Sequence, residues 1–567
     1  MNRSDSPGIL GRGAPAQPDW RILLLLSLAV LAVYSQVLEF SFVSFDDGIY
    51  VTRNAQVQSG LSWETVRWAF STRFGGNWHP MTWLSHAADV SLFGMRPGMH
   101  HATSVVIHLA NTILLYVLLF RMTRQPWPCA AVAFLFALHP LHVESVAWVS
   151  ERKDVLSTFF GFGSMLAWLR YLERRTLLRY LGVLALFALS LLAKSMWVTL
   201  PVLLLLLDHW PLGRAQGLAV PVWRTYARLA LEKLPLFLLA LLFGLIALFT
   251  QGSTGTLATL GELTFPIRAC NTAIALCDYL SSMVFPFGLA AFYPHPGYGF
   301  SLVYAIASML FLAGMTWASI ATRIRFPFLF TGWGWYLVSV APVSGLIQVG
   351  SQARADRYTY LPLVGIFIGL AWAGDQLVQH RQFPAKPLAL GGGIVAAGLM
   401  VLTFLQIGHW RNSKALWSRA LQATTPRNWL AHQGLAEDLL TEGRYREAAD
   451  AFTRAIEILP DDAGGRFVNH LKLGDCWLGL GDRKAALKEY RQALLLEPEY
   501  TFTCFKIGLL LVDLGRGEDA IPYLERVLRA KPGELGIDSA FAGKVTATAK
   551  RRLLAIKAAP INQRPLR

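Results

Sequence analysis

Apolar runs recur through the first 408 positions, at 21–40, 102–120, 127–141, 154–172, 179–193, 196–209, 234–250, 270–291, 301–321, 326–348, 358–378 and 387–407. A helix needs about 20 residues to cross a hydrocarbon core, and most of these runs approach that length. Of the 567 residues, 54% are hydrophobic and 16% charged, where a soluble protein carries roughly a quarter charged. The chain therefore reads as a polytopic membrane protein whose first partner is the lipid bilayer. Its net charge of +16 is spread in short basic clusters between the apolar runs. That is the pattern of cytoplasmic loops, and no nucleic-acid partner is inferred. The five cysteines, Cys129, Cys270, Cys277, Cys476 and Cys504, show no CxxC or metal-ligand spacing and read as small buried hydrophobes. The polar, Pro/Gly-rich start (1–20) reads as a cytoplasmic tail before an uncleaved first helix.

Basic clusters mark the cytoplasmic ends: Arg3/Arg12/Arg21, Arg121/Arg124, Arg170/Arg174/Arg175/Arg179, Arg214/Arg224/Arg228/Lys233, Arg323/Arg325 and Arg381/Lys386. Simple alternation satisfies them as far as Thr250. If 270–291 then crossed fully, Arg323 and Arg325 would fall outside. Treating 270–291 as non-crossing repairs every later cluster, and its Pro/Gly-rich end, FPFGLAAFYPHPGYG, suits a re-entrant stretch buried in protein. The expectation is about eleven crossings across 21–408, a long outer loop at 41–101, and a C-terminal region outside the cytoplasm.

After position 408 the composition turns charged, and a repeat emerges. Leu435, Gly443, Ala448, Phe452, Ala455 and Pro460 sit at tetratricopeptide positions. Leu473, Gly474, Trp477, Gly481, Ala486, Tyr490, Ala493 and Pro498 repeat them, followed by Gly508, Gly515, Ala520, Leu524 and Pro532. Each unit is a helix pair that buries its apolar face on its neighbour. The expected division is a linker at 409–426, three repeats at 427–536, and a basic helix or tail at 537–567. Such a stack either offers a concave surface to a polypeptide or caps the membrane unit.

The outer face collects unusual polar residues. The loop at 41–101 opens with FDDGIYVTRNAQV, which places Asp46 and Asp47 at the mouth of the first crossing. Carboxylates near a bilayer are kept where they are solvated or used. SWETVRWAF then reads as an interfacial helix capped by Ser62. The second outer loop, HPLHVESVAWVSERKDVLS, crowds His139, His142, Glu144, Glu151, Arg152, Lys153 and Asp154 into sixteen residues. Two histidines and a glutamate are metal-ligand types, but the spacing is not that of a zinc helix. Hydrogen-bonded structural histidines fit as well, so no cofactor is assigned and a divalent metal is not indicated. A later loop, QVGSQARADRYTYLP, carries Arg354, Asp356 and Arg357. An arginine fork suits a phosphate, although snorkelling to headgroups is the alternative. Lys194 follows a short apolar run and joins the same prospective anionic site. The set fits a pocket for an anionic lipid carrying a sugar: a carboxylate deprotonates an attacking hydroxyl, and cations stabilise the leaving phosphate.

An acidic pair just after the first transmembrane helix resembles the GT-C glycosyltransferases, which use polyprenyl-phosphate-linked sugars. More specifically, FDDGIYVTRNAQV, HPMTWLSHAADVSLFGMRPGMHHATSVVIHLAN, HPLHVESVAWVSERKDVLS and ADRYTYLP, followed by a repeat stack, resemble the transmembrane-and-tetratricopeptide-repeat O-mannosyltransferases and their bacterial relatives. The resemblance implies an all-α fold: a polytopic GT-C membrane domain followed by a tetratricopeptide α-solenoid. It implies Asp46 or Asp47 as catalytic base, Glu144, Arg152 and Asp154 in the second-loop motif, and Arg357 at the family's arginine. His79-Pro80-Met81 stands where animal relatives carry Arg-Pro-Leu. The expected donor-phosphate residues are Arg152, Lys194, Arg354 and Arg357, with His79, His139, His142, Glu144, Lys153, Asp154 and Asp356 as further pocket candidates. The expected function is transfer of a sugar, mannose in the relatives, from a polyprenyl-phosphate donor to a protein Ser or Thr held by the repeats. The expected place is a bacterial inner membrane with the repeats in the periplasm. A non-catalytic scaffold, or transfer to a glycan or lipid, is the alternative.

Overall fold

The computed structural model describes residues 17–214, 222–252, 263–379, 384–459, 465–530 and 539–558. The fold is all-α, a helical membrane unit followed by a tetratricopeptide solenoid. Among the described residues its sheet content is one antiparallel pair, Tyr293–Pro294 with Gln352–Arg354. Two compact units form, Met1–Leu416 and Trp417–Arg567. Arg3, Arg12, Arg381, Pro460, Pro532 and the last nine residues lie outside the described residues.

In the first unit the apolar runs become helices. Trp20–Tyr34 is capped by Asp19, whose carboxylate accepts from the Arg21 N–H at 2.9 Å. Pro80–Phe93, Pro97–Thr123, Pro126–Leu138 and Pro327–Val340 all begin on proline, where its missing N–H leaves no bond unmade. Among the described residues six helices are long and apolar enough to cross a membrane: Trp20–Glu39, Pro97–Thr123, Val149–Glu173, Leu234–Gly252, Leu302–Ala321 and Ala389–Gly408. Pro126–Leu138 and Pro140–Ala147, bent by 53°, make a seventh if taken together. The remaining expected crossings correspond to the shorter helices Leu177–Ala193, Ser195–His209, Pro327–Val340 and Leu363–Gln379.

The stretch expected as re-entrant differs in form. Phe265–Val284 is one continuous helix of 20 residues, and irregular backbone begins only at Phe285. Side-chain bonds tie it along its length to residues 344–355: Arg268 donates to the Leu346 carbonyl, Thr272 to Ser344, Asn271 to Ala353, and the Ala355 N–H donates to Tyr279. At its far end the Met283 carbonyl pairs with His139 at 2.9 Å. Its two ends therefore lie by the segments that carry Leu346 and His139, and the Pro/Gly-rich stretch forms the exit from the helix.

The exit of the first helix meets the exit of the last membrane helix, Ala385–Gly408. Gln36 donates to the Phe404 carbonyl at 2.7 Å, Ser41 N–H to the Arg411 carbonyl at 3.0 Å, and Ser44 N–H to Ser413 Oγ at 2.8 Å. Ser62 caps Trp63–Ser71 through the Thr65 N–H. That helix buries Thr65 and Ala69 and leaves Trp63 and Phe70 exposed, as an interfacial helix requires.

The second unit contains three antiparallel helix pairs: Trp429–Thr441 with Tyr445–Ile458, Arg466–Gly479 with Arg483–Leu496, and Thr501–Asp513 with Gly517–Arg529. Each pair turns on a glycine in the left-handed region, Gly443, Gly481 and Gly515, with φ of 75°, 83° and 73°. Ala448, Ala486 and Ala520 are fully buried between the paired helices. A final helix, Ser539–Ala558, lays Ala542, Val545, Ala549 and Leu553 on the last pair and closes its apolar face. The segment expected as a linker is in part ordered as the helix Ser413–Ala423, because Leu416, Trp417 and Ala420 share one buried face.

Two measurements test this architecture. A Cβ on Gly474 would overlap the Tyr490 ring, so Gly474→Ala should destabilise the stack by about 1–3 kcal/mol, read as a lower thermal midpoint. For topology, cysteines replacing the exposed Ser59 and Lys414 should both be labelled from the non-cytoplasmic side of intact spheroplasts. Protection of either overturns the shared outer placement.

Candidate functional site

The chain turns sharply after the first helix because Ile49 and Tyr50 N–H groups both donate to the Asp46 carbonyl, at 2.9 and 3.0 Å. The two neighbouring carboxylates then diverge. Asp47 is fully buried; its Oδ2 accepts from the Val43 N–H at 3.0 Å, and its Oδ1 from the Ser150 N–H at 3.0 Å and the Ser150 hydroxyl at 2.5 Å. Asp46 is half-buried, and among the described residues no hydrogen bond or ion pair holds its carboxylate. Its electrostatic neighbours are Lys153, Arg357 and Glu151. Loss of water raises the Asp46 pKa above the ordinary aspartate value, against the pull of Lys153 and Arg357. Burial pushes Asp47 to about 6 despite its three donors.

Beside Asp46 lies an ion cluster organised by Glu151. Glu151 Oε1 is 3.1 Å from Lys153 Nζ and 3.3 Å from Arg357 Nε, and its Oε2 is 3.1 Å from Lys194 Nζ. Lys194 also reaches Asp154 at 2.6 Å, and Asp154 accepts from the Ser145 hydroxyl at 3.1 Å. Glu144 receives both the backbone N–H of Arg357, at 2.8 Å, and its guanidinium, at 2.5 Å. Lys153 and Arg357 both stand over the Trp148 ring, 5.7 and 5.5 Å from its centroid, and Lys153 over Tyr50 at 4.5 Å. Four acids and three cations thus share one partly accessible site, and an incoming phosphate would compete with Glu151, Asp154 and Glu144 for the cations.

Several expected site residues lie apart from this cluster. Arg152 is fully buried and points the other way: its guanidinium donates to Asp89 at 2.7 Å, Ser104 at 2.8 Å, Ser85 at 3.1 Å and the His100 carbonyl at 2.5 Å. All three of its nitrogens are occupied, so in this conformation it serves the packing of the outer helices and offers no donor to a phosphate. Arg354 joins a neighbouring group. It pairs with Asp278 at 3.4 Å and Asp356 at 3.5 Å and lies 3.8 Å from the Tyr293 ring. Asp356 accepts from the Tyr293 hydroxyl at 3.0 Å, and burial raises it to about 6 against the pull of Arg354. His139 and His142 are held by the carbonyls of Met283 and Phe136, as structural histidines are. Among the described residues no group of three metal-ligand side chains assembles. His79 is buried with Nδ1 unpaired, and burial together with Lys153 and Lys194 holds it neutral, at about 3. It lines a small cleft with Trp78, Leu191, Ser195 and Phe243.

Glu151, the centre of the cluster, and Ser150, the partner of Asp47, were not singled out from the sequence. Glu151 stood in plain view within SERKD, but which members of that charged run face inward depends on the turn there. Val149–Glu151 is a tight 3-10 turn and the helix begins at Arg152, so Arg152 departs from its neighbours on both sides.

Fold and site together define a polytopic helical membrane protein with an acid–cation cluster beyond its first helix and a tetratricopeptide solenoid. A family model described as Tetratricopeptide repeat matches residues 399–463 and 471–534. Protein O-mannosyl-transferase TMTC4 of Homo sapiens is 23% identical over 494 residues, 76% of this chain and 65% of that protein. TMTC3 of Mus musculus is 22% identical over 545 residues, 86% of this chain and 56% of that protein. TMTC1 of Mus musculus is 30% identical over 162 residues, 26% of this chain and 17% of that protein. The chain is a relative of these transmembrane-and-tetratricopeptide-repeat O-mannosyltransferases, and it spans less than two thirds of their length.

The placement of Arg152 generates a test. Removing one partner of a buried ion pair costs about 3–5 kcal/mol, so Arg152→Ala should lower the thermal midpoint and the yield of folded protein. A stable Arg152→Ala protein with weakened binding of an anionic lipid would return Arg152 to the phosphate site.

Proposed function

We propose that this chain is a membrane glycosyltransferase that moves a sugar, mannose by its relatives' names, from a polyprenyl-phosphate donor to a protein Ser or Thr. The observation that carries the proposal is the Asp46 carboxylate, unbonded among the described residues, beside the Lys153–Lys194–Arg357 cluster on the loop that leaves the first membrane helix. A lipid donor reaches such a site from the bilayer and a polypeptide reaches it from water. Asp46 takes the proton of the acceptor hydroxyl as its oxygen bonds to the sugar's anomeric carbon. The bond from that carbon to the phosphate oxygen breaks, its electron pair leaves with the polyprenyl phosphate, and Arg357 and Lys194 stabilise the charge. Asp47, held by three donors, orders the loop. The repeats present the acceptor, since a solenoid's concave face suits a polypeptide. The basic clusters favour a bacterial inner membrane with this face and the repeats in the periplasm.

Purified protein given labelled polyprenyl-phosphate sugars should release or transfer label. Asp46→Asn keeps shape but cannot accept a proton, so turnover should fall roughly 10²–10⁴-fold with donor binding retained; Asp47→Asn should be milder. Full activity in the double variant removes the catalytic reading. A base must be deprotonated, and the Asp46 pKa is raised, so the acid limb of the rate profile should lie above the ordinary aspartate value of about 3.9. Lys194→Ala and Arg357→Ala should each weaken donor binding by about 1.5–3 kcal/mol; unchanged affinity in both removes the phosphate site.

Deleting residues 427–567 tests the repeats separately. Transfer to the natural acceptor should vanish while slow donor hydrolysis persists. Loss of hydrolysis, with the membrane unit still folded, would make the stack part of the active site.

A further inference from the structure

Asp46 carries the chemistry in the reading above, yet among the described residues nothing fastens its side chain. Its two neighbours are fastened, and to the same turn. Phe45 stacks on Trp148 with ring centroids 4.4 Å apart and planes 2° from parallel. Asp47 takes both the N–H and the hydroxyl of Ser150 on one carboxylate oxygen. Ser150 is fully buried on the turn Val149–Glu151 and directly precedes Glu151, the centre of the cation cluster. The tie between positions 47 and 150 therefore sets the register between two loops a hundred residues apart. One step to one side stands Asp46, and one step to the other stands Glu151, with Lys153 just beyond.

We propose that Ser150 is a positioning residue for the sugar-transfer step, clamping Asp47 so that the Asp46 carboxylate is held against Lys153 and Arg357. This rests on the transferase reading for its chemistry, while the clamp itself is geometric. The hydroxyl supplies the shorter of the two Ser150 bonds, and a hydrogen bond to a charged group stabilises well beyond an ordinary one. Without it the backbone bond and the Phe45–Trp148 stack keep the loop folded, but the carboxylate gains freedom. The groups that face Asp46 are Lys153, Arg357, Glu151 and Asp47.

Ser150→Ala removes the hydroxyl and keeps the backbone donor; Ser150→Thr keeps both. Ser150→Ala should lower kcat about tenfold, as for loss of one charged hydrogen bond, with the donor KM within about twofold. Its acid limb should move toward the ordinary aspartate value as Asp46 relaxes into water. Ser150→Thr should restore both. A second arm needs no activity: a cysteine at position 46, made as Asp46→Cys, is labelled across a pH series with Ser150 intact and with Ser150→Ala. The thiol's titration midpoint should move toward the ordinary thiol value of about 8.5 when the hydroxyl is lost. An unchanged thiol profile, or equal losses in the Ala and Thr variants, overturns the role of Ser150. A thiol shift, with no sugar transfer by the protein that retains Asp46 and Ser150, upholds the clamp and sinks the transferase reading instead.

Discussion

One carboxylate, Glu151, holds together one end of the membrane unit. Lys153, Lys194 and Arg357 come from three separate segments of chain and converge within 3.3 Å of its oxygens. Each cation is largely withdrawn from water, and moving an ion out of water costs several kcal/mol unless it is paired. Without the central acid the three would repel one another and the loops that carry them would splay. Glu144 and Asp154 neutralise what Glu151 leaves over. Lys194 also ends its own helix, so the cluster determines where Leu177–Ala193 stops as well as what its end faces.

That arrangement explains why much of the fold was legible in the sequence and less of the site. Apolar runs and basic clusters act through the bilayer, a solvent whose demands are the same everywhere, so helices follow from length and composition. Gly443, Gly481 and Gly515 likewise announced the repeats, because a turn in the left-handed region tolerates little else. The charged run at 151–154 announced a site without revealing its wiring. Of four consecutive charged side chains, three turn to one cluster and Arg152 turns away when a 3-10 turn runs into a helix, and a one-residue shift would exchange Arg152 for Lys153 at the cluster. Sequence reasoning therefore placed Arg152 at a phosphate, and the structure gives it to Asp89. The basic clusters that follow 270–291 led to the expectation of a non-crossing segment, but nothing in them shows that Phe265–Val284 is a continuous helix, since its tethers come from residues 72 to 82 positions further on.

The paired aspartates follow the same logic at shorter range. Adjacent side chains on a turning backbone diverge, so one acid is drawn into the protein and the other is left at its surface. Asp47 finds the N–H of Val43 and both donors of Ser150, which compensate its burial. Asp46 lends its carbonyl to the turn and keeps its carboxylate uncommitted. The buried acid holds the loop, and the carboxylate beside it lies within electrostatic reach of Lys153.

The opposite end of the same helices shows what an ion cluster looks like when it is closed. There Asp208 pairs with Lys233 at 2.5 Å and Arg214 at 2.8 Å, and Arg214 with Glu232 at 2.7 Å, while Lys233 lies over the Trp168 ring. Both acids are paired, Arg175 adding a third cation at 3.6 Å from Glu232, Asp208 and Lys233 are wholly buried, and the group pins the chain after His209 to the start of Leu234–Gly252. At the Glu151 end the acids outnumber the cations, Lys194 and Arg357 stay partly exposed, and Asp46 is unbonded among the described residues. Both clusters use the same residue types in the same membrane unit, so composition does not separate structure from function here. What separates them is an uncommitted group beside charges already gathered, together with access from water. Of the two clusters, the one around Glu151 alone meets both conditions.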